Sequence, residues 1–92
     1  DFEWDETKNL DNQRKHGISF EDAQFAFFDI NRVIAKDLSH SQDETRYYCF
    51  GLNEHGNGVL TVRFTYRNGS IRIIGAGYWR RGKKIYEQNN SI

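Results

Sequence analysis

Cationic and aromatic side chains alternate near the C-terminus of this sequence, and they are its clearest candidates for chemistry. Tyr66, Tyr78 and Trp79 lie among arginines and lysines, and no acidic residue occurs between Glu54 and Glu87. Guanidinium and ammonium groups neutralise phosphates, while flat rings stack on unpaired bases. This pattern predicts a face that binds RNA. The predicted contacts are Arg63, Arg80, Arg81, Lys83, Tyr78 and Trp79.

The distribution of charge supports the same interpretation. The 92 residues have no net charge, but residues 1–44 carry eleven acidic against five basic side chains, a formal charge of −6. Residues 45–92 carry eight basic against two acidic side chains, a formal charge of +6. Such asymmetry indicates an anionic partner. The alternative is that the acidic half neutralises the basic half in the fold, with Tyr66 and Trp79 in the core.

The histidines and the cysteine are not spaced as metal ligands. His16, His40 and His55 occur singly, without an HxxxH or H-x-E pattern, and Cys49 is the only cysteine. We therefore predict no metal site and no cofactor. His40, in a polar segment, is a candidate general base, although a surface histidine without a role is the alternative. Cys49 lies among aromatic residues and is predicted to be a buried apolar residue.

Length and composition predict one domain spanning 1–92. Hydrophobic residues make up 37% and charged residues 28%, which excludes a disordered acidic or basic tail. No apolar run approaches a membrane span of about 18 residues. A single cysteine and the lack of a signal-peptide pattern favour the reducing cytoplasm.

Capping residues and hydrophobic periodicity predict the helices and strands that position the candidate cationic and aromatic side chains. Asp5 begins a helix that ends at His16 before Gly17, and Ser19 begins a second helix that ends near Asp29. A polar loop is predicted over 37–44. Four strands are predicted over 32–36, 45–52, 59–66 and 70–76, and a C-terminal helix, weakened by Gly82, over 80–88.

The most specific local signal is Asn68-Gly69, which predicts a type I′ hairpin between the last two strands. Leu60, Val62 and Phe64 alternate with Arg63, so they are predicted to face the helices while Arg63 faces away. The fold class is therefore α+β, with two N-terminal helices, a four-stranded antiparallel meander and a C-terminal helix.

Several strings of this sequence resemble the BrnT toxins. Near the N-terminus they are FEWDxxKN (Phe2–Asn9) and RKHGISFEDA (Arg14–Ala23). Near the C-terminus they are TxR (Thr65–Arg67), IRII (Ile71–Ile74) and YE (Tyr86–Glu87). The resemblance implies the toxin of a bacterial type II toxin–antitoxin pair, a RelE-like fold and ribonuclease activity that blocks translation. It also implies a BrnA-like ribbon-helix-helix antitoxin that binds the toxin and, through operator DNA, represses their operon.

RelE-like cleavage uses the ribose 2′-OH as nucleophile and needs no metal. Arginines suit the charge that develops on the phosphate, because the guanidinium fork matches two phosphate oxygens. We predict Arg67 and Arg72 in this role, with Arg63, Arg80 or Arg81 as a third cation. Lys8, His40 and Glu87 near Tyr86 are the candidates for the general base. Trp4 is a candidate for stacking or for the core.

One departure from the family pattern bears on activity. The family's last strand usually ends Ile-Ser-Ala-Arg, whereas this chain has Ile74-Gly75-Ala76-Gly77. The strand-end arginine is thus replaced by Gly77, which predicts weaker catalysis. The alternative function is a non-catalytic or weakened homologue that acts mainly by binding the antitoxin or nucleic acid.

Overall fold

The secondary structure belongs to the expected α+β class. A computed structural model describes residues 1–40 and 43–91 of the chain, so residues 41 and 42 of the predicted polar loop lie outside the described residues. The elements in chain order are β1 (Phe2–Glu3), α1 (Glu6–His16), α2 (Phe20–Ala23), a 3-10 segment (Gln24–Phe28), β2 (Val33–Asp37), β3 (Arg46–Leu52), β4 (Val59–Arg67), β5 (Ser70–Gly77) and α3 (Arg80–Asn89).

The described strands form one sheet in the order β1-β5-β4-β3-β2. The predicted antiparallel meander over β2 to β5 is confirmed, with every strand within one or two residues of its expected bounds. The prediction of four strands is wrong, because β1 adds a fifth that runs parallel to β5. A two-residue strand is too short to show alternation, and its partners Ile71 and Arg72 are far away in sequence.

The β4–β5 hairpin has the predicted turn, and its apolar residues face the N-terminal helices as predicted. The prediction that Arg63 faces away from the helices is wrong for α3, because α3 packs on the same face of the sheet as Arg63. Asn68 and Gly69 have φ angles of 53° and 81°, as a type I′ turn requires. Leu60, Val62 and Phe64 are fully buried, and Arg63 is on the opposite face. A bulge on β5 interrupts the register between Arg63 and Phe64.

Helix α1 has the predicted caps, but polar residues dock it. The Asp5 carboxylate accepts from the amides of Thr7 and Lys8, and Gly17 closes the helix at φ 70°. The only large apolar residue of α1, Leu10, is 59% exposed, whereas Asn12 is buried.

Asn12 joins α1 to the edge of β5. Its amide donates to the Ala76 carbonyl at 2.9 Å and accepts from the Ala76 amide at 3.2 Å. Asn12 thus satisfies both backbone groups of Ala76 at a part of the strand that β1 does not pair, and α1 lies along this edge.

The second helix begins as predicted but changes geometry. The Ser19 hydroxyl accepts from the Asp22 amide at 3.0 Å, and the α-helix continues only to Ala23 before the 3-10 segment. The backbone of this segment packs directly on β3, since a Cβ on Gly51 would lie 2.3 Å from the Ala26 carbonyl oxygen.

The sheet is packed on both faces. Phe20, Phe64 and Ile73 are central to the core on the side of α2 and the 3-10 segment. On the other side, α3 packs through Tyr86 against Phe50. The sequence predicts that Gly82 weakens α3. The packing of α3 on the sheet nevertheless requires glycine at this position.

A Cβ on Gly82 would lie 1.9 Å from the Thr61 hydroxyl oxygen. Glycine at this position therefore lets α3 approach β4 closely. We call this side of the sheet the groove face.

Candidate active site

A groove of about 800 Å³ crosses the groove face from α1 to the end of β2. This volume is typical of a ligand site. Its floor is formed by side chains of β3, β4 and β5, and α3 closes one end. The polar and aromatic residues that line it are Lys8, Asp11, Asn12, Lys15, His16, Lys36, Asp37, Ser39, Tyr48, Thr61, Arg63, Trp79 and Arg81.

Asp37 is a buried carboxylate at the β2 end of the groove. Its side chain is 1% exposed, and its oxygens lie 3.0 and 3.2 Å from Nδ1 of His40. Burial opposes ionisation, but hydrogen bonds from His40, the Ser39 amide and Tyr48 outweigh it and lower the pKa of Asp37. A carboxylate that holds Nδ1 leaves Nε2 of the imidazole for another partner, which is the arrangement of a general base. His40 itself reaches the groove through Asp37 and is not one of its lining residues.

Tyr48 connects this pair to two arginines. Burial, followed by the nearby Asp37 carboxylate, raises the pKa of the Tyr48 hydroxyl, so it is protonated and donates to Asp37. The charges of Arg63 and Arg81 act on the Tyr48 pKa in the opposite direction. Both guanidinium groups therefore lie within electrostatic range of the Tyr48 hydroxyl. Within the described residues, neither arginine forms an ion pair.

The two arginines expected to be catalytic lie elsewhere, toward the turn of the β4–β5 hairpin. Arg67 donates to both carboxylate oxygens of Glu44, at 3.0 and 3.1 Å. Arg72 donates to Glu3 at 2.8 Å and so ties β5 to β1. For these two side chains, the predicted neutralisation of the basic half by the acidic half is confirmed. Neither lines the groove.

A second cavity of about 460 Å³ lies beside the groove at the start of α3. It is lined by five of the predicted site residues, Tyr78, Trp79, Arg80, Lys83 and Glu87. Trp79 lines both cavities. The structure thus brings Lys8, Arg63, Arg81 and Trp79 together in the groove, whereas Glu87 lies in the second cavity and shares it with Trp79 alone of these four.

Gly77 and Trp79 form a matched pair at the end of β5. A Cβ on Gly77 would lie 2.6 Å from Cη2 of the Trp79 ring, so the indole occupies the place of a side chain at position 77. The ring also contacts His16 edge-on, with centroids 5.3 Å apart. Trp79 is 43% exposed and Tyr66 is 56% exposed, so the alternative that these rings are core residues is wrong.

Sequence reasoning missed the groove roles of Asp37 and Tyr48. The signal available was the three-residue spacing of Asp37 and His40, which is common in polar loops. Tyr48 gave no signal, because its contact with Asp37 depends on the pairing of β2 with β3. Cys49 is fully buried as predicted, and burial raises its pKa to about 12, which leaves the thiol unreactive. Trp4 is partly buried and packs edge-on against Phe20 of the core.

The described residues also bear on metal binding and on membrane insertion. Over 1–40 and 43–91, no group of three or more His, Cys, Asp or Glu side chains is arranged to hold a metal ion. None of the helices in these ranges has the length and hydropathy needed to cross a membrane.

Comparison with known proteins places the chain in a family. No curated protein matches it in sequence. The family profile of BrnT, described as the ribonuclease toxin of a type II toxin–antitoxin system, matches residues 4–82. This range holds every residue of the groove named above. The chain therefore belongs to the BrnT family of ribonuclease toxins of type II toxin–antitoxin systems.

Proposed function

We propose that the groove is the active site of a metal-independent endoribonuclease whose cleavage of RNA inhibits translation. The observation that carries this proposal is that Asp37, which binds His40, lines the same groove as Arg63 and Arg81, neither of which pairs with a described carboxylate. Phosphate transesterification requires a base for the attacking hydroxyl and cations for the charge on the phosphate, which these residues supply, and an acid for the leaving oxygen. A RelE-like relationship remains a prediction from the resemblance.

In the proposed reaction, the ribose 2′ oxygen attacks the adjacent phosphorus while Nε2 of His40 accepts the 2′ proton. A 2′,3′-cyclic phosphate forms as the bond from phosphorus to the 5′ oxygen breaks. Arg63 and Arg81 stabilise the charge that develops on the phosphate oxygens. Lys8, on the α1 side of the groove, donates the proton that the leaving 5′ oxygen requires.

The sequence-based assignment of Arg67, Arg72 and Glu87 to catalysis is a competing proposal. Arg67 and Arg72 would first have to leave Glu44 and Glu3, and Glu87 lies in the second cavity. We therefore assign the transition-state role to the groove arginines and regard the hairpin pair as structural.

Product analysis with purified protein and a defined RNA tests the reaction. We expect cleavage in EDTA, a 2′,3′-cyclic phosphate product, and no cleavage where the nucleotide at the scissile bond lacks its 2′-OH. His40→Ala should reduce turnover about 10²-fold, whereas His55→Ala, an exposed histidine in a turn outside both cavities, is the matched control. Loss of cleavage in EDTA would contradict the mechanism. RNA binding without any cleavage would favour the non-catalytic homologue.

We further infer that the neutralising partner is a BrnA-like ribbon-helix-helix antitoxin, which carries the toxin to operator DNA. Arg80 and Lys83 on α3 form no ion pair with described residues and suit an acidic segment of such a partner. The association rate should then fall steeply between low and physiological salt. A salt-independent association rate would argue against this surface.

A further inference from the structure

The second cavity lies directly next to the groove. Its volume of about 460 Å³ is enough for a single nucleotide. Trp79 lines both spaces, so a chain that leaves the groove on this side passes over the indole before it reaches the second cavity. A nucleotide next to the cleaved bond could therefore place its base and its phosphate in this cavity.

The Trp79 ring has the properties of a stacking platform. It is held by the absence of a Cβ at Gly77 and by the edge-on contact with His16. It nevertheless remains 43% exposed, which an indole that served only as core would not. A fixed, exposed ring is what an unpaired base requires for stacking.

Tyr78 is held on the other side by the loop between β3 and β4. Its hydroxyl accepts from the Asn53 side-chain amide at 3.2 Å, and a Cβ on Gly58 would lie 3.0 Å from the ring. Tyr78 is 51% exposed. The cavity therefore has two consecutive aromatic residues, each fixed by a different part of the fold.

The charges of the cavity suit a phosphate at its entrance. Arg80 and Lys83 line it, and neither forms an ion pair with a residue in the described ranges. Glu87 lies one turn farther along α3 and places a carboxylate in the same cavity, where it offers an acceptor to an amino group of a base.

We propose that the second cavity binds the unpaired nucleotide next to the scissile phosphate, with its base against the aromatic residues and its phosphate on Arg80 and Lys83. The assignment rests on the proposed function, which places cleavage in the groove. The substrate is then RNA that is single-stranded on both sides of the cleaved bond, because a paired base cannot enter the cavity.

The first test uses binding without cleavage. In a Trp4→Phe background, Trp79 is the only tryptophan, and a 2′-deoxy tetranucleotide with a fluorescent label provides the ligand. We expect the fluorescence of Trp79 to be quenched as the anisotropy of the label rises. Binding that leaves Trp79 fluorescence unchanged overturns the subsite but not the groove. If the tetranucleotide does not bind, or if Arg63→Ala does not weaken its binding, both assignments are wrong.

The second test compares substrate lengths. Lys83→Ala should raise KM for a tetranucleotide about fivefold and Trp79→Leu about tenfold, with much smaller changes for a dinucleotide that spans only the cleaved bond. Lys84→Ala is the matched control, since this neighbouring lysine is exposed and lines neither cavity. An equal rise in KM for both lengths, or an equal effect of Lys84→Ala, would overturn the subsite.

Discussion

Arg63 and Arg67 lie four residues apart on β4, yet they belong to two different electrostatic regions. Arg63 lies in the groove, near Tyr48 and without a carboxylate partner among the described residues. Arg67 lies near the hairpin turn and holds both oxygens of Glu44. A guanidinium that already binds a carboxylate must break that pair before it binds a phosphate. An arginine is therefore a catalytic candidate when its guanidinium has no carboxylate partner, and a structural residue when it is already paired, although the residue type is the same.

The largest expected effect tests this separation directly. Arg63→Ala should lower kcat for RNA cleavage by about 10²–10³-fold, because the groove arginine meets the charge that develops in the transition state. Arg67→Ala, the matched change on the same strand, should lower kcat by less than about threefold. Single-turnover rates at saturating protein measure both. A larger loss of kcat in Arg67→Ala than in Arg63→Ala would instead place the active site at the hairpin.

The next prediction tests whether the position of α3 defines the groove. Gly82→Ala should lower the free energy of unfolding by about 2 kcal/mol, since overpacking against Thr61 outweighs the gain in helix propensity. Gly75→Ala is the control, because a Cβ there meets only the Asn12 amide oxygen, at 4.0 Å. Urea titrations of both variants give the comparison.

A double-mutant cycle identifies the cause of that loss. Thr61→Ala removes the hydroxyl that the new methyl group would meet, so the combined variant should be more stable than additivity predicts. Additive effects would mean that the close approach of α3 to β4 does not depend on this contact.

Local signals in the sequence predicted most of the helices, strands and turns that surround the groove and the hairpin ion pairs. Asp5 and Gly17 bound α1, and Asn68-Gly69 sets the hairpin, because caps and tight turns depend on neighbouring residues. The alternation along β4 also placed Arg63 on the face away from the main core. These features need no knowledge of distant parts of the chain.

The functional difference between the arginines depends on long-range pairing, and so it was not predictable. Glu44 meets Arg67 only after β3 pairs with β4, and Glu3 meets Arg72 only after β1 pairs with β5. The Asn12–Ala76 contact likewise joins residues 64 positions apart. Spacing along the chain carries no signal for contacts of this kind.

A hydrogen bond between Tyr86 and Asp29 holds α3 to the segment that precedes β2. The Tyr86 hydroxyl donates to Asp29 at 2.6 Å, and burial, followed by this bond, raises the pKa of Tyr86 to about 12. Tyr86→Phe should lower the free energy of unfolding by about 1 kcal/mol at neutral pH. Hydrogen exchange should show faster opening of α3 but unchanged protection of the β4–β5 hairpin. Equal loss of protection in both regions would contradict their independence.

The same contact predicts the pH dependence of stability. The pKa of Tyr86 in the fold lies above the ordinary value of 10.0, so its contribution is fully present below pH 10 and is lost as the pH rises toward 12. Burial opposes ionisation of Asp29, but hydrogen bonds from Tyr86 and two backbone amides lower its pKa. This second contribution is present above the ordinary Asp pKa and is lost as the pH falls through the lowered value. Tyr86→Phe should remove the alkaline component when the two proteins are compared.

The smallest expected effect comes from the ion pair at the hairpin. Glu44→Gln should change the free energy of unfolding by less than about 1 kcal/mol, because Arg67 is 45% exposed and Glu44 34% exposed, so solvent screens the pair. The difference from the wild type should disappear in high salt. Glu3→Gln should have a somewhat larger effect, since the Arg72 side chain is only 27% exposed and its pair joins β1 to β5.

Glu44→Gln also separates the two active-site assignments without removing any arginine. The substitution makes Arg67 available to a phosphate while the groove keeps all of its residues. If the groove cleaves RNA, kcat stays within about twofold of the wild type, because Arg67 acts on no reacting atom. If Arg67 is the catalytic arginine and Glu44 restrains it, kcat rises when the restraint is removed. A rise in kcat that is abolished by adding Arg67→Ala would therefore place the reaction at the hairpin, and no change would leave it with Arg63.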